Sequence, residues 1–194
     1  MANNNDTVTE QRYSQGLTYQ EFLDQAKVNL DRFQQNYETA VVDPSDKEFF
    51  ENIVNRDGGP AKVLVIGEDW CPDVYRGMPV IARIAEASGM EMRVFPRDAN
   101  LDIMNQFLKD GLHQSIPAFV FYTEDHKYLC HWIERPAQAT KEMAEITARV
   151  SKEMTGAEEN DIRAATRQGM LDRYPEWQQL TIGELRTLLT ETMN

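Results

Sequence analysis

From Leu17 onward, apolar residues fall into patches whose spacing changes along the chain, and each change marks an element boundary. Thr18 and Glu21 stand three apart as a capping box, with Leu17 and Phe22 placed as its hydrophobic staple. Phe22, Ala26, Leu30, Phe33 and Tyr37 follow at intervals of three or four, which predicts one helical stripe running to about Tyr37. Pro44, Ser45 and Glu48 open a second helix with Phe49, Phe50 and Ile53 inward, closed by Asp57-Gly58-Gly59-Pro60. Val63-Leu64-Val65-Ile66 is a short continuous run rich in β-branched residues, the pattern of a strand covered on both faces.

Helical spacing returns from Pro72 to Ser88 through Val74, Met78, Ile81, Ile84 and Ala85, with Gly89 as C-cap and Pro79 inside as a kink. Met92, Val94 and Phe95 read as a second strand, and Asn100 to Lys109 as a helix ended by Gly111. Strands joined through helices favour parallel pairing with a right-handed crossover, so this stretch predicts an α/β unit. The period then changes. Ala118 to Tyr122 and Lys127 to Ile133 are extended segments around Thr123-Glu124-Asp125-His126, a hairpin pattern. The remainder is helical: a stripe of Ala139, Met143, Ile146 and Val150, a charged break from Thr155 to Asn160, and a helix over Asp161 to Arg173. A second capping box at Thr181 and Glu184, stapled by Leu180 and Leu185, predicts a short last helix carrying Leu188 and Leu189.

A chain of 194 residues fits one elaborated domain better than two independent ones. Residues 1–16 form a polar N-terminal tail, 17–154 the domain with its core at 62–136, and 155–194 a C-terminal helical extension. With 41% hydrophobic and 27% charged residues the composition is that of a soluble globular protein. The net charge of -12 argues against nucleic-acid and anionic-membrane partners, because both repel an acidic surface. No window is long and apolar enough to span a bilayer. Two cysteines cannot build a disulfide framework, and Met1 to Gly16 lacks the apolar run of a signal peptide, so a reducing cytoplasm is expected.

Candidate chemistry centres on Trp70-Cys71-Pro72, where a strand hands over to a helix. Unpaired backbone N–H groups and the helix dipole at that terminus stabilise an anion, and a thiolate is one. Pro72 suits the first helical turn. Glu68, Asp69 and Asp73 lie within three residues of Cys71 and oppose the thiolate, which leaves its pKa open. Taken alone Cys71 would be a packed core residue; in this setting it is expected to be accessible and functional. Cys130 reads as a small buried hydrophobe, too far along its strand to reach Cys71. His113, His126 and His131 show no metal-ligand spacing, and no metal is expected. Arg76, Arg83 and Arg97 are candidates for an anionic thiol such as glutathione but are expected to be solvated surface.

The order of strand, Trp-Cys-Pro, a helix with Pro79 eight residues past Cys71, and Ser115-Ile116-Pro117 before a hairpin resembles the thioredoxin superfamily. It is similar in particular to bacterial members with extra helices at both ends. The resemblance covers roughly Lys62 to Pro136 and implies a three-layer α/β/α sandwich with a central mixed sheet and added terminal helices. It also implies that Pro117 is cis and faces the sulfur, and that the backbone of Ile116 pairs with a substrate chain.

The departures limit what that resemblance implies. Val74 stands where the second cysteine belongs, giving Trp-Cys-Pro-Asp-Val, and Val65 stands where a buried acid assists proton transfer. The expected activity is therefore monothiol exchange, with Cys71 as nucleophile and Trp70, Pro72, Asp73, Val74, Ile116 and Pro117 lining the substrate groove. A protein or small-molecule thiol or disulfide is the expected partner, and a low-molecular-weight thiol would serve as co-substrate rather than as a bound cofactor. The alternative is a redox-inactive module that binds an extended peptide in the same groove.

Overall fold

The computed structural model describes residues 8–194, in which four strands and nine helices build a mixed sheet flanked by helices. The strands are β1 (Lys62–Gly67), β2 (Glu91–Pro96), β3 (Ala118–Tyr122) and β4 (Tyr128–Ile133), in the order β2-β1-β3-β4. β1 is parallel to β2 and antiparallel to β3, and β3 is antiparallel to β4. Every residue of β1 is buried, so both of its faces are covered, as its unbroken apolar run predicts.

The crossover from β1 to β2 is α5 (Pro72–Ser88), which has the predicted bounds, Pro79 inside it and Gly89 capping it at φ 78°. Against α5 lie α3 (Leu30–Thr39), α4 (Pro44–Val54) and α9 (Tyr174–Thr192). The core includes Phe33, Phe50, Val65, Ile81, Phe119 and Leu185. A smaller apolar cluster of Ala139, Ile146, Val150 and Trp177 joins α7 (Ala137–Glu153) and α8 (Glu159–Leu171) to α9.

Four local expectations differ from the structure. The stripe from Phe22 to Tyr37 is two helices, α2 (Tyr19–Gln25) and α3, parted where Asn29 takes a left-handed φ of 60°. Asn100 to Lys109 holds only the four-residue helix α6 (Leu101–Met104), after a 3-10 turn at Arg97–Ala99. Thr181 and Glu184 are not a helix start, because α9 runs unbroken through them. The Thr181 hydroxyl donates to Trp177 O at 2.9 Å, and Glu184 accepts from Trp132 Nε1 and Ala137 N, both at 2.8 Å.

The fourth concerns the tail. Residues 1–7 lie outside the described residues, and residues 8–16 of the expected tail pack against the sheet. Thr9 caps α1 (Glu10–Tyr13), and buried Tyr13 donates to Glu91 O at 2.8 Å. Val8 O lies 2.7 Å from His126 Nε2, whose ring stacks on Tyr122. The capping box of Thr18 and Glu21 forms as expected. Among the described residues no helix is long and apolar enough to cross a membrane.

Candidate functional site

β1 and β3 are antiparallel with Ile66 opposite Ala118, so the end of β1 and the start of β3 meet at one edge of the core. From β1 the chain turns through Glu68 to Trp70, with Cys71 N donating to Glu68 O at 3.2 Å. Cys71 is the extended N-cap of α5, and its carbonyl accepts from Val74 N at 3.0 Å and Tyr75 N at 3.1 Å. Opposite it, the Ile116–Pro117 bond is cis. The Cys71 thiol lies 3.7 Å from Ile116 O, within reach of a weak S–H donation.

Accessibility is lower than expected: Cys71 is only 9% exposed, because Val74, Tyr75 and Ile116 pack into the same core. Burial is the main reason its pKa is raised; the N–H groups of Val74 and Asp73 act against it, Asp73's charge adds to it, and Arg135 offsets part. The expected opposition from three carboxylates reduces to one. Glu68 accepts from Asp98 N at 2.7 Å, and Asp69 accepts from Lys27 N at 2.6 Å.

Asp73 is buried between two guanidiniums, at 2.7 Å from Arg76 Nη1 and 2.6 Å from Arg135 Nη2. Arg76 is not solvated surface: it is 1% exposed, with its guanidinium 5.8 Å and 5.4 Å from the rings of Tyr174 and Trp177. Arg135 also bonds Glu134, which in turn pairs with Lys109. A row of alternating charges therefore backs the first turn of α5. Arg97 lies over the ring of Trp70 at 5.0 Å, and that tryptophan is 48% exposed beside Cys71.

Val65 and Val74 are fully buried, so neither position offers Cys71 an acid or a second thiol. Val74 packs so closely on Gly67 that a methyl group at Gly67 would lie 2.8 Å from Val74 Cγ1. Cys130 pairs with Phe121, three residues along β4 from the Ile133 end that meets the site. At about 3.4 Å per residue that separation is about 10 Å, beyond the Cα distance a disulfide allows. Among the described residues no group of three His, Cys, Asp or Glu side chains is placed to hold a metal ion.

The structure brings the Trp70–Val74 turn, with Cys71 and Pro72, beside Ile116 and Pro117, and turns Asp73 and Val74 into the interior. Sequence reasoning missed the segment between α2 and α3. Asn29 Nδ2 donates to Asp69 O at 2.9 Å, which ties the segment carrying exposed Val28 and Leu30 to the residue before Trp70. An asparagine interrupting two exposed apolar positions was the available signal.

Comparison with known proteins places the fold and the family. A Pseudomonas aeruginosa protein of unknown function, solved at 1.5 Å, has 17% identity and a TM-score of 0.60 over 92% of this chain and 95% of its own. An HIV epitope scaffold has 18% identity and a TM-score of 0.61 over the same shares. These likenesses concern the fold. No curated protein matches the chain. The family model described as thioredoxin matches residues 16–153, and the chain therefore belongs to the thioredoxin family.

Proposed function

We propose that the chain is a monothiol exchange protein, in which Cys71 attacks a disulfide presented along Ile116 and Pro117. The observation that carries this reading is the placement of the Cys71 thiol at the N-terminus of α5, 3.7 Å from Ile116 O. The reaction begins when the thiol loses its proton to water, since Val65 supplies no acid or base. The thiolate attacks one sulfur of the substrate disulfide, a Cys71–substrate disulfide forms, and the other substrate sulfur leaves as a thiolate. A second external thiol, of a small molecule or of a partner, then attacks that bond and returns Cys71 to the reduced form.

Burial makes the thiolate scarce at neutral pH but more nucleophilic once formed. With a Brønsted coefficient of about 0.4–0.5, each unit by which the pKa rises lowers the rate only about threefold. Exchange is therefore slow and depends on a well-fitting substrate. Val28, Leu30 and Trp70 supply the exposed apolar surface for that fit.

The raised pKa and low exposure favour a second reading, a redox-inactive groove that holds an extended peptide with Cys71 as a neutral contact. Incubation with oxidised glutathione, followed by mass spectrometry, separates the two. Exchange predicts a mixed disulfide on Cys71 that forms faster as pH rises and is absent in Cys71→Ser. A protein that forms none, even at alkaline pH and with peptide disulfides, is the binding module.

A further inference from the structure

We infer that β4 and α9 form a docking groove for an extended, basic segment of a partner protein, bound as a fifth strand of the sheet. The sheet order leaves β4 at an edge. Glu134 N donates to Pro117 O at 2.7 Å, and hydrogen-bonded pairs alternate along an antiparallel ladder. Trp132 and Cys130 therefore turn their backbone groups toward β3, while His131 and Ile133 turn theirs outward. Among the described residues, the outward groups have one partner, Arg135 N on Ile133 O at 3.1 Å. The remaining N–H and C=O groups are a template for another strand.

That edge opens into a cavity of about 750 Å³ between the Leu108–Asp110 loop and α9. Leu108, Trp132, Ile133, Leu180 and Leu188 give it apolar walls. Gly183 sits in the middle of α9 on this wall, exposed, with nothing within 4 Å of the place a Cβ would occupy. A glycine inside a helix is unfavourable relative to alanine, and one use of its missing side chain is close approach of another backbone.

Charge chooses the occupant. Asp110 and Glu191 line the groove with Glu184, whose charge stands there although Trp132 Nε1 and Ala137 N donate to it, and the one ammonium of the lining, Lys109, is paired with Glu134. With a net charge of -12, a second copy would bring like charge to like. A partner strand alternating Lys or Arg with apolar residues meets both the carboxylates and the apolar walls, and main-chain bonds to His131 and Ile133 set its register. The six residues of β4 match a strand of about 20 Å. This docking does not depend on Cys71 chemistry.

The probe is a fluorescein-labelled peptide alternating four lysines with three valines, titrated with the full chain and followed by anisotropy, beside the same peptide carrying glutamates. The lysine peptide is expected to bind saturably, and about tenfold or more weakly when salt rises from about 50 to 500 mM. The glutamate peptide is expected not to bind. Gly183→Leu improves helix propensity while filling the groove, and is expected to abolish binding with the circular dichroism unchanged. His131→Pro removes an outward N–H that β3 does not use, and is expected to do the same. No saturation by about 1 mM, equal binding of both peptides, or binding indifferent to Gly183→Leu overturns the inference. So does a dimer in sedimentation that Gly183→Leu dissolves, since the edge then belongs to a second copy.

Discussion

Replacing Asp73 by asparagine should make Cys71 more acidic and the protein less stable at the same time. The carboxylate is buried and bridges Arg76 Nη1 at 2.7 Å and Arg135 Nη2 at 2.6 Å. Arg135 is half-buried and can turn toward water, but Arg76 cannot: it is enclosed, and its Nε and Nη2 already lack partners. Asp73→Asn thus leaves a buried guanidinium without its counter-charge, a change that costs about 3–5 kcal/mol. For a chain of this size, with a urea slope near the upper end of about 1–3 kcal/mol per molar, the unfolding midpoint should fall by about 1–2 M. Removing the same carboxylate takes away one of the causes that raise the Cys71 pKa, while Arg135, which lowers it, stays in place through its bond to Glu134. The assays are urea unfolding by tryptophan fluorescence and the pH dependence of iodoacetamide alkylation, both in a Cys130→Ala background. An unchanged midpoint, or an alkylation profile displaced to higher pH, would refute the reasoning.

Three further outcomes are expected. Val74→Cys should restore a dithiol at the N-terminus of α5, at a packing cost of about 1 kcal/mol, and turn on reduction of insulin disulfides; failure to form an intramolecular disulfide with an oxidant contradicts the placement of Val74. Gly67→Ala should destabilise the fold by about 1–3 kcal/mol, read as a lower thermal midpoint, because its methyl group would lie 2.8 Å from Val74 Cγ1 and 2.9 Å from Met78 Cε. Glu142 accepts from Arg173 Nε at 2.9 Å and Trp177 Nε1 at 2.8 Å, which lowers its pKa from 4.5 to about 2. Its folded-state pKa is the lower one, so its contribution is present above pH 4.5 and is lost as pH falls toward 2. Trp177 fluorescence should report loosening of α7 from α9 in that window, and Glu142→Gln should remove the transition.

Elements whose signals are local were legible in the sequence. Continuous burial of Val63 to Ile66 follows from an apolar run, and the bounds of α5 follow from Pro72 at one end and Gly89 at the other. The Phe22 to Tyr37 stripe misled because its spacing stays helical across Asn29, whose backbone is left-handed and whose side-chain amide donates to Asp69 O, 40 residues away. The Thr181 and Glu184 pair misled because side chains that cap a helix also serve inside one when a distant partner is present; here that partner is Trp132. Arg76 looked solvated because nothing local distinguishes an arginine that faces water from one enclosed by Asp73, Tyr174 and Trp177.

By itself the sequence determined the α/β class, the position of Cys71 at a helix start, and the valines at positions 65 and 74, where the resemblance to thioredoxins implies a buried acid and a second thiol. These are properties of residue type and spacing. Only the tertiary structure decided how deeply Cys71 is buried, which of its neighbouring carboxylates faces it, and that β4 presents an open edge beside α9. Burial and electrostatic pairing depend on side chains brought together from opposite ends of the chain, such as Asp73 with Arg135 or Trp132 with Glu184, and no local pattern encodes those meetings.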